Sequence, residues 1–395
     1  MGKIVAAFGV CHSPHLLTRP PDENPVHQEL SIRAMRQLGK ILDETKPDVI
    51  LFLGSDHLET FSVTCVPTFA IIAGNRVIAK HAGFHYNLPN NREMAEDLLN
   101  KLIRANFDIA YSDDAILGHT FAVPFEYLLE KRRIPVVPFF TNVYLPPLPS
   151  MQRCAALGRE IAEIIKGRNE RVAVIASGGM SHYPGTSKYE DPEFDFDYWM
   201  ISQMEIGNTD AILNLTPEQL DETGNTEMLN WATMLGIIGP VPGELIQYTP
   251  TWHHGHGYMR FIPERERETS PIQVKAEYGG FKFKNKGFEF YKAPPASAAK
   301  LNKLLFDVRL STKLCERIVD NLDAVSAEYE LTPEQRKVAQ GLVDVGSTDK
   351  VSEYVPPFVD FGVHPLLALM GLHAIYPVAC RAVHSKSEGQ VFKTS

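Results

Sequence analysis

Three histidines occupy similar positions relative to strand-like segments of this 395-residue chain. His12 comes shortly after the apolar run 4–10, His57 after the run 49–53, and His182 after the run 172–176. Ligands of open α/β sheets bind beyond the carboxyl ends of the strands, so three imidazoles at that edge could converge on one site. Taken singly, a histidine after a strand is more often a hydrogen-bonding loop residue than a ligand. The spacing leaves both interpretations open.

A carboxylate would complete a metal site of this kind. Residues 224–231 have the pattern of a turn that leads into a buried helix, and Glu227 lies at its start. A glutamate there is usually a solvated residue that the helix dipole favours. Two histidines and one carboxylate can also hold iron on one face and leave positions open for substrate and O₂. The spacing alone does not show whether Glu227 meets the histidines.

The elements that must position these residues follow an alternating pattern. The predicted helices cover 25–44, 91–103 and 150–165, each with apolar residues near one face. The predicted strands, rich in Val and Ile, are 4–10, 49–53, 69–73, 136–140 and 172–176. Alternating strands and helices predict an α/β layered domain with a largely parallel central sheet flanked by helices.

The character of the chain changes after residue 265. A charged stretch with Gly279-Gly280 and Pro294-Pro295 is followed by helical patterns from residue 297 onward. Thr332 has the position of an N-cap, with Pro333 at the first helical position and Gln335 at the third. We therefore predict three parts: an α/β domain at 1–265, an irregular linker at 266–296, and a small all-α domain at 297–395.

The composition favours a small-molecule partner. Hydrophobic residues make up 44% of the chain, which is enough for a large core, and the net charge of -9 disfavours nucleic acid or an anionic membrane. The five cysteines are scattered, which suits a reducing cytosol. We find no signal-peptide pattern and no apolar run approaching the roughly 18 residues that span a bilayer. We expect a cytoplasmic protein with neither a nucleic-acid nor a membrane partner.

Several fragments resemble the class III extradiol dioxygenases, specifically the branch of protocatechuate 4,5-dioxygenase and gallate dioxygenase. They occur in the family's order and cover most of residues 1–265, and the helical tail is similar to the small subunit of protocatechuate 4,5-dioxygenase. The fragments are Phe8-Gly9-Val10-Cys11-His12-Ser13-Pro14, Gly54-Ser55-Asp56-His57, Leu117-Gly118-His119-Thr120, Gly178-Gly179-Met180-Ser181-His182 and Glu227-Met228-Leu229-Asn230-Trp231.

The resemblance implies a role for five residues. It makes His12, His57 and Glu227 the ligands of Fe(II), His182 the catalytic acid/base, and His119 a second active-site histidine. It also implies that a small aromatic diol and O₂ are the substrates, that the ring is opened, and that the protein is a homodimer. Histidine suits the acid/base role because its unperturbed pKa lies near neutrality.

The substrate is less clearly indicated by the resemblance. The segment 249–258 lies where gallate-type relatives place small hydroxyl residues, but here it contains Trp252, His253, His254 and His256. Trp252, His253 and His254 either shape the substrate pocket or form a histidine-rich surface turn. The substrate is then a protocatechuate- or gallate-like acid or, alternatively, a dihydroxypyridine or hydroxypyridone. Two alternatives from other classes are a zinc hydrolase with the same ligands and a non-catalytic binding protein on the same fold.

Overall fold

A computed structural model describes residues 1–261, 281–284, 286–348 and 350–391, with side chains described up to residue 383. The described residues form two compact units. The first comprises Met1–Thr60, Pro67–Tyr183 and Glu190–Phe290, and the second comprises Phe61–Val66, Pro184–Tyr189 and Tyr291–Ser395. Much of the predicted linker 266–296 lies outside the described residues.

The first unit is built on an eight-stranded sheet. Its order is β10-β11-β1-β9-β2-β8-β3-β6, and the four central strands β1, β9, β2 and β8 are mutually parallel. A separate three-stranded sheet has the order β5-β4-β7. The strands are β1 Lys3–Val10, β2 Val49–Ser55, β3 Phe69–Ile72, β4 Arg76–His81, β5 Phe84–Pro89, β6 Ile109–Ser112, β7 Ile116–Leu117, β8 Val136–Thr141, β9 Arg171–Ser177, β10 Glu244–Pro250 and β11 Gly255–Phe261.

The central strands are apolar because helices cover both faces of the sheet. Every residue of β2 and β8 is buried, as is all of β9 except Arg171. Because both faces of such a strand are buried, its sequence is a continuous run of apolar residues and does not alternate between polar and apolar ones. The predicted α/β fold with a largely parallel central sheet is confirmed, and all five predicted strands are present.

The helices of the first unit begin where the sequence supplies a cap. The side chains of Asn24, Asn91 and Ser150 accept hydrogen bonds from backbone N–H groups at the starts of α2, α3 and α5. These are the three helices that the periodicity predicts. The helices are α1 His15–Thr18, α2 Pro25–Thr45, α3 Arg92–Arg104, α4 His119–Pro124, α5 Met151–Lys166, α6 Phe194–Glu205, α7 Thr209–Leu213, α8 Pro217–Glu222 and α9 Met228–Ile238, with a π-helical segment at Phe125–Leu129.

One edge of the large sheet is an antiparallel hairpin that the sequence analysis did not predict. β10 pairs with β11, which pairs antiparallel with β1. β10 is mostly half-buried and carries polar residues, so it lacks the continuous apolar run of the central strands. The hairpin matters for the site because its turn contains Trp252, His253 and His254.

The second unit is helical. The Thr332 side chain and the Gln335 side chain form a reciprocal capping box at the start of α13, which confirms the predicted helix start. Its helices are α10 Ala299–Leu310, α11 Thr312–Asp320, α12 Leu322–Glu328, α13 Pro333–Ala339, α14 Gly341–Asp344, α15 Val355–Asp360 and α16 Pro365–Val391.

Helix α16 contradicts the expectation that no apolar segment approaches the length needed to span a bilayer. Its part Pro365–Val383 is long and apolar enough to cross a bilayer by length and composition alone. His373 and Pro377 interrupt the apolar residues there, which is why no single run stands out in the sequence. The core helix of a soluble protein satisfies the same criterion, and α16 packs against α10 and α11.

Candidate metal centre

Four side chains that follow neighbouring parallel strands lie close together at one edge of the sheet. His12 follows β1, His57 follows β2 and His182 follows β9, and these three strands lie side by side in the sheet. Tyr144 comes shortly after β8, the next strand in the same order. Because parallel strands end at the same edge, their following residues meet there. The sequence left open whether the three histidines converge, and the structure brings them together at this edge.

Glu227 lies at the centre of this group. Its Oε1 atom is 2.8 Å from His57 Nε2, 3.3 Å from His12 Nε2 and 3.7 Å from His182 Nε2. All four residues are buried. Glu227 directly precedes α9, which is buried along almost its whole length and fixes the carboxylate against the strand ends. The sequence could not show that Glu227 meets the histidines, and the structure brings them together.

Two further groups hold the Glu227 carboxylate. The hydroxyl of Tyr144 donates a hydrogen bond to Oε1 at 2.7 Å, and the backbone N–H of Gly179 donates to Oε2. Burial opposes ionisation, but the neighbouring His12 and His182 keep the pKa of Glu227 well below its ordinary value. The centre therefore contains a buried, ionised carboxylate enclosed by imidazole rings, the Tyr144 hydroxyl and the Gly179 N–H group.

The outer nitrogens of two imidazoles are fixed by hydroxyl groups. Ser177 Oγ donates to the carbonyl oxygen of Thr120 at 3.0 Å, so it accepts from His12 Nδ1 at 2.9 Å. His57 Nδ1 lies 3.1 Å from Thr120 Oγ1. With its Nδ1–H on Ser177, the His12 ring presents the lone pair of Nε2 to the centre. Such outer partners orient histidines that bind metals.

His182 has a different environment from the other two. Its Nδ1 donates to the carbonyl oxygen of Met180 at 2.7 Å, and its Nε2 lies 2.9 Å from the Tyr144 hydroxyl. Burial lowers the pKa of His182 to about 4, against the opposing charge of Glu227. The ring is thus neutral with a lone pair on Nε2. Tyr144 has one proton and two acceptors, His182 Nε2 and Glu227 Oε1.

His119 lies beside the centre at the start of α4. Its ring centroid is 4.2 Å from that of His57 and 5.5 Å from that of His12. Glu59 Oε2 accepts hydrogen bonds from both the backbone N–H and Nδ1 of His119, at 3.0 and 2.9 Å. Burial lowers the pKa of His119 to about 3. The neutral ring can offer Nε2 to a bound molecule.

The hairpin turn separates the three candidate substrate-binding residues. The His254 ring stacks on the His182 ring, with centroids 3.9 Å apart and an interplanar angle of 9°. The His253 ring instead points to Glu23, and its Nε2 is 2.6 Å from Glu23 Oε1. The Trp252 side chain contacts His253 and Trp252 is 37% exposed. Of the three, His254 is the one whose ring contacts the predicted acid/base.

A close approach explains why glycine occupies position 179. A Cβ atom there would lie 1.9 Å from His254 Nε2, so any side chain at this position would displace the His254 ring. Gly178 is crowded in a similar way, because its Cβ would lie 2.8 Å from the carbonyl oxygen of Glu227. The Gly178-Gly179 pair thus lets Glu227 and His254 both lie close to the backbone that precedes His182.

The donor set fits a divalent metal ion. Two ligand atoms that each lie about 2.1 Å from a metal, at a right angle to one another, are about 3 Å apart. The separations of Glu227 Oε1 from His57 Nε2 and His12 Nε2, 2.8 and 3.3 Å, are close to that value. Two neutral imidazoles and one carboxylate are the donor set of non-haem Fe(II) oxygenases. The same atoms suit Zn²⁺, so the geometry does not identify the metal.

Three residues that shape the centre were not predicted from the sequence. Tyr144, Glu59 and Ser177 each bond to one of the predicted residues. Tyr144 and Ser177 carry the same signal as the histidines, since both lie at or just beyond the carboxyl end of a central strand. Glu59 lies two residues after His57 and has no comparable signal.

The α/β sheet and its buried group of two histidines and one glutamate define an α/β protein with a candidate metal centre. Residues 6–259 match the family described as the catalytic LigB subunit of aromatic ring-opening dioxygenase. The match covers more than half of the chain, and the chain belongs to this family.

Several curated relatives are named 2,3-dihydroxyphenylpropionate/2,3-dihydroxicinnamic acid 1,2-dioxygenase. One from Klebsiella pneumoniae subsp. pneumoniae is 30% identical over 176 residues, 43% of this chain and 56% of the relative. One from Klebsiella pneumoniae strain 342 is 34% identical over 140 residues, 35% of this chain and 45% of the relative. One from Escherichia coli K12 is 32% identical over 139 residues, 35% and 44% of the two chains. The matches span about half the length of these relatives.

A solved structure of uncharacterized protein JW3007 from Escherichia coli K12 has a TM-score of 0.47 and 15% sequence identity to this chain. It covers 65% of this chain and 99% of its own.

Proposed function

We propose that this protein is an Fe(II)-dependent extradiol dioxygenase that opens the ring of a small vicinal-dihydroxy aromatic with O₂. In this reaction a ring C–C bond beside the diol breaks and both oxygen atoms enter the product. The observation that carries the proposal is the position of Glu227 Oε1, within 3.7 Å of an Nε2 atom from each of three strand-end histidines. Membership of the family supports it.

His12, His57 and Glu227 are the residues we assign to the metal. Ser177 and Thr120 bond to the outer nitrogens of the two histidines, so these rings are held ready to bind. Bound Fe(II) would supply the electron transfer between the diol and O₂ that the protein side chains cannot. Three protein ligands would leave positions open for both substrates.

His182 is the residue we assign to proton transfer. Its neutral ring, with Nδ1–H on the Met180 carbonyl, has a lone pair on Nε2 that can take a proton from a substrate hydroxyl. The Tyr144 hydroxyl donates its proton to Glu227 Oε1 and lies 2.9 Å from this Nε2, so its oxygen can accept a hydrogen bond from His182 once the ring carries the proton. His119, fixed by Glu59, provides a second neutral imidazole that can position the substrate or O₂.

His254 is the residue we assign to substrate choice. Its buried ring stacks on His182, so a substrate bound against His182 would lie beside His254 as well. Imidazole nitrogens can bind a carboxylate, or the nitrogen or oxo group of a hydroxypyridine. We propose a protocatechuate- or gallate-like acid as the substrate, with dihydroxypyridines and hydroxypyridones as the second candidate. The names of the curated relatives add 2,3-dihydroxyphenylpropionate as a third.

The test is oxygen uptake by the full chain after anaerobic reconstitution with Fe(II). The panel contains protocatechuate, gallate, 3-O-methylgallate, 2,3-dihydroxyphenylpropionate, catechol and dihydroxypyridines, with Zn²⁺-loaded protein as the control. We expect one O₂ per substrate and a new ring-opened chromophore with iron alone. Bound iron without uptake on any diol would contradict the dioxygenase. Ester or amide hydrolysis by the Zn²⁺-loaded protein would instead support the zinc hydrolase.

Three further properties belong to the same proposal. We propose that residues 1–265 form the catalytic domain and that 297–395 form a helical domain like the small subunit of protocatechuate 4,5-dioxygenase. We also propose a cytoplasmic homodimer. Light scattering on the purified protein gives its mass in solution and so tests the dimer. Cell fractionation tests the location. If the apolar part of α16 were inserted in a membrane, the protein would be found in the membrane fraction.

A further inference from the structure

A second group of two histidines and one glutamate lies outside the Glu227 centre. It consists of His15, Glu23 and His253, whose ligand atoms all lie within 4.8 Å of one another. Glu23 Oε1 is 2.8 Å from His15 Nδ1 and 2.6 Å from His253 Nε2. These separations resemble those around Glu227 Oε1. The group shares no residue with the Glu227 centre.

We propose that His15, Glu23 and His253 form a second metal site, which takes a divalent cation of the Zn²⁺ type. The inference goes beyond the proposed dioxygenase activity, which requires only the Glu227 centre. Two imidazoles and one carboxylate make up the three protein ligands of several zinc sites, with a fourth position open to water. We name this group the Glu23 site.

Burial and charge favour a cation at the Glu23 site. Glu23 and His253 are buried, and hydrogen bonds from the two histidines lower the pKa of Glu23 against the opposing effect of burial. The Nε2 atom of His253 lies 2.6 Å from Glu23 Oε1, so a buried ring faces a buried carboxylate. A cation held between the two rings would provide a counter-charge for this buried carboxylate.

The site also has an entry path. The side chain of His15 is 27% exposed, whereas that of Glu23 is 2% exposed. A cation from solvent can therefore reach the group past His15 and keep a water molecule on that side. Two other groups with suitable donors, Cys11-His254-His256 and Glu59-His81-His119, each share a residue with the pocket of the Glu227 centre, so they are not independent sites.

The backbone around the three ligands is held in place. The carbonyl oxygen of His15 accepts from Gln28 Nε2 at 3.2 Å, and the backbone N–H of Glu23 donates to the carbonyl oxygen of Pro20 at 3.1 Å. The turn that carries His253 is closed by a hydrogen bond from Thr251 N–H to the carbonyl oxygen of His254 at 2.9 Å. The ligands thus come from three segments with defined positions.

Trp252 offers a local probe of this site. Its ring centroid lies 4.4 Å from that of His253, and the chain has only three tryptophans. Co²⁺ replaces Zn²⁺ in tetrahedral sites, absorbs visible light and quenches nearby tryptophan emission. A Co²⁺ titration can therefore report binding at the Glu23 site independently of any activity.

The experiment uses the metal-free full chain carrying His57→Ala, which removes a ligand of the Glu227 centre. We expect this protein to bind one Co²⁺ with quenching of Trp252 emission, and His57→Ala/Trp252→Phe to bind it without that quenching. Loss of a group that only hydrogen-bonds to a metal ligand typically lowers metal affinity by about 10- to 100-fold. His57→Ala/His15→Gln loses a ligand itself, so its Co²⁺ affinity should fall by more than that. The matched control is His57→Ala/His27→Gln, which changes a nearby histidine on α2 and should bind normally.

Two results would overturn the second site. One is that the His57→Ala protein binds no Co²⁺ at micromolar concentration, and the other is that His15→Gln leaves the bound Co²⁺ and the quenching unchanged. Circular dichroism checks the fold of each variant. His15 is chosen because its partial exposure makes unfolding less of a risk, and Glu23→Gln provides a second variant that keeps the shape of the side chain.

Discussion

The first unit contains the same donor set twice, in two different settings. At the Glu227 centre, the ligands follow parallel strands and a buried helix start, and the side chains of His12 and Glu227 are at most 2% exposed. At the Glu23 site, the ligands come from the short helix α1, a loop and a hairpin turn, and His15 is 27% exposed. The two groups contain the same types of ligand, so they differ in the segments that hold those ligands and in their exposure to water.

That difference predicts how tightly each site holds a metal. At the Glu227 centre, Ser177 and Thr120 fix the outer nitrogens of the histidines, so little side-chain freedom remains to be lost on binding. The Glu23 site has more contact with water, because the His15 side chain is partly exposed. We expect the Glu227 centre to bind its metal tightly and the Glu23 site to exchange its metal readily.

The largest expected effect is that of Glu227→Ala. This change removes the atom that all three histidines surround, so we expect the protein to lose its iron and its activity to fall to that of the metal-free chain. Metal analysis after gel filtration, together with oxygen uptake, measures both. Glu23→Ala is the matched variant in the other group, and it should retain iron at the Glu227 centre. Stoichiometric iron in Glu227→Ala would contradict the ligand assignment.

The next effect in size is that of His182→Phe. The aromatic ring preserves the stack with His254, but it cannot accept a proton, so kcat should fall by about 10²- to 10⁴-fold while iron is retained. His253→Phe is the comparison, because His253 contacts Glu23 instead of the centre, and it should lower kcat far less. Normal turnover by His182→Phe would remove His182 from the acid/base role.

A smaller effect is expected from Ser177→Ala. Without Oγ, His12 Nδ1 loses its partner and the ring can rotate, so iron affinity at the Glu227 centre should fall by about 10- to 100-fold. Ser55→Ala is the control, because Ser55 Oγ is also buried at a strand end but has no hydrogen-bond partner among the described residues. Competition with a chelator measures the affinity. Equal affinities of the two variants would show that Ser177 does not orient His12.

The sequence was sufficient to predict the part of the fold that rests on long apolar runs. β2, β8 and β9 are buried on both faces, so their apolar composition was enough to identify them as strands. The hairpin of β10 and β11 was missed because the half-buried β10 mixes polar and apolar residues. The strand-end rule also indicated the sheet edge at which His12, His57 and His182 could meet.

The rest of the site depends on contacts between distant segments. His253 and His254 are adjacent in the sequence, yet one contacts Glu23 and the other contacts His182, because successive residues of the turn point in different directions. Glu23 lies in a proline-containing loop with no periodicity to interpret. Tyr144 lies after a strand like the histidines, but a tyrosine alone does not indicate a metal ligand, so its residue type did not single it out.

The smallest expected effect tests whether the two groups influence each other. In Gly179→Ala, the new Cβ atom would meet His254 Nε2 at 1.9 Å, so the His254 ring must leave its stack on His182. Overpacking of this kind costs about 1–3 kcal/mol of stability. Gly167→Ala is the control, because its Cβ would meet its nearest neighbour at an ordinary 3.4 Å. Urea denaturation of both variants measures the difference.

The same variant is informative at the Glu23 site. Because His253 precedes His254 in one hydrogen-bonded turn, a displaced His254 should also move His253 away from Glu23. We therefore expect Gly179→Ala to weaken Co²⁺ binding at the Glu23 site, although position 179 contributes no ligand to it. Trp252 quenching in a His57→Ala background measures this. If the Co²⁺ affinity is unchanged, the turn absorbs the displacement and the two groups act independently. If it falls, a metal at the Glu23 site must, by reciprocity, stabilise His254 on His182.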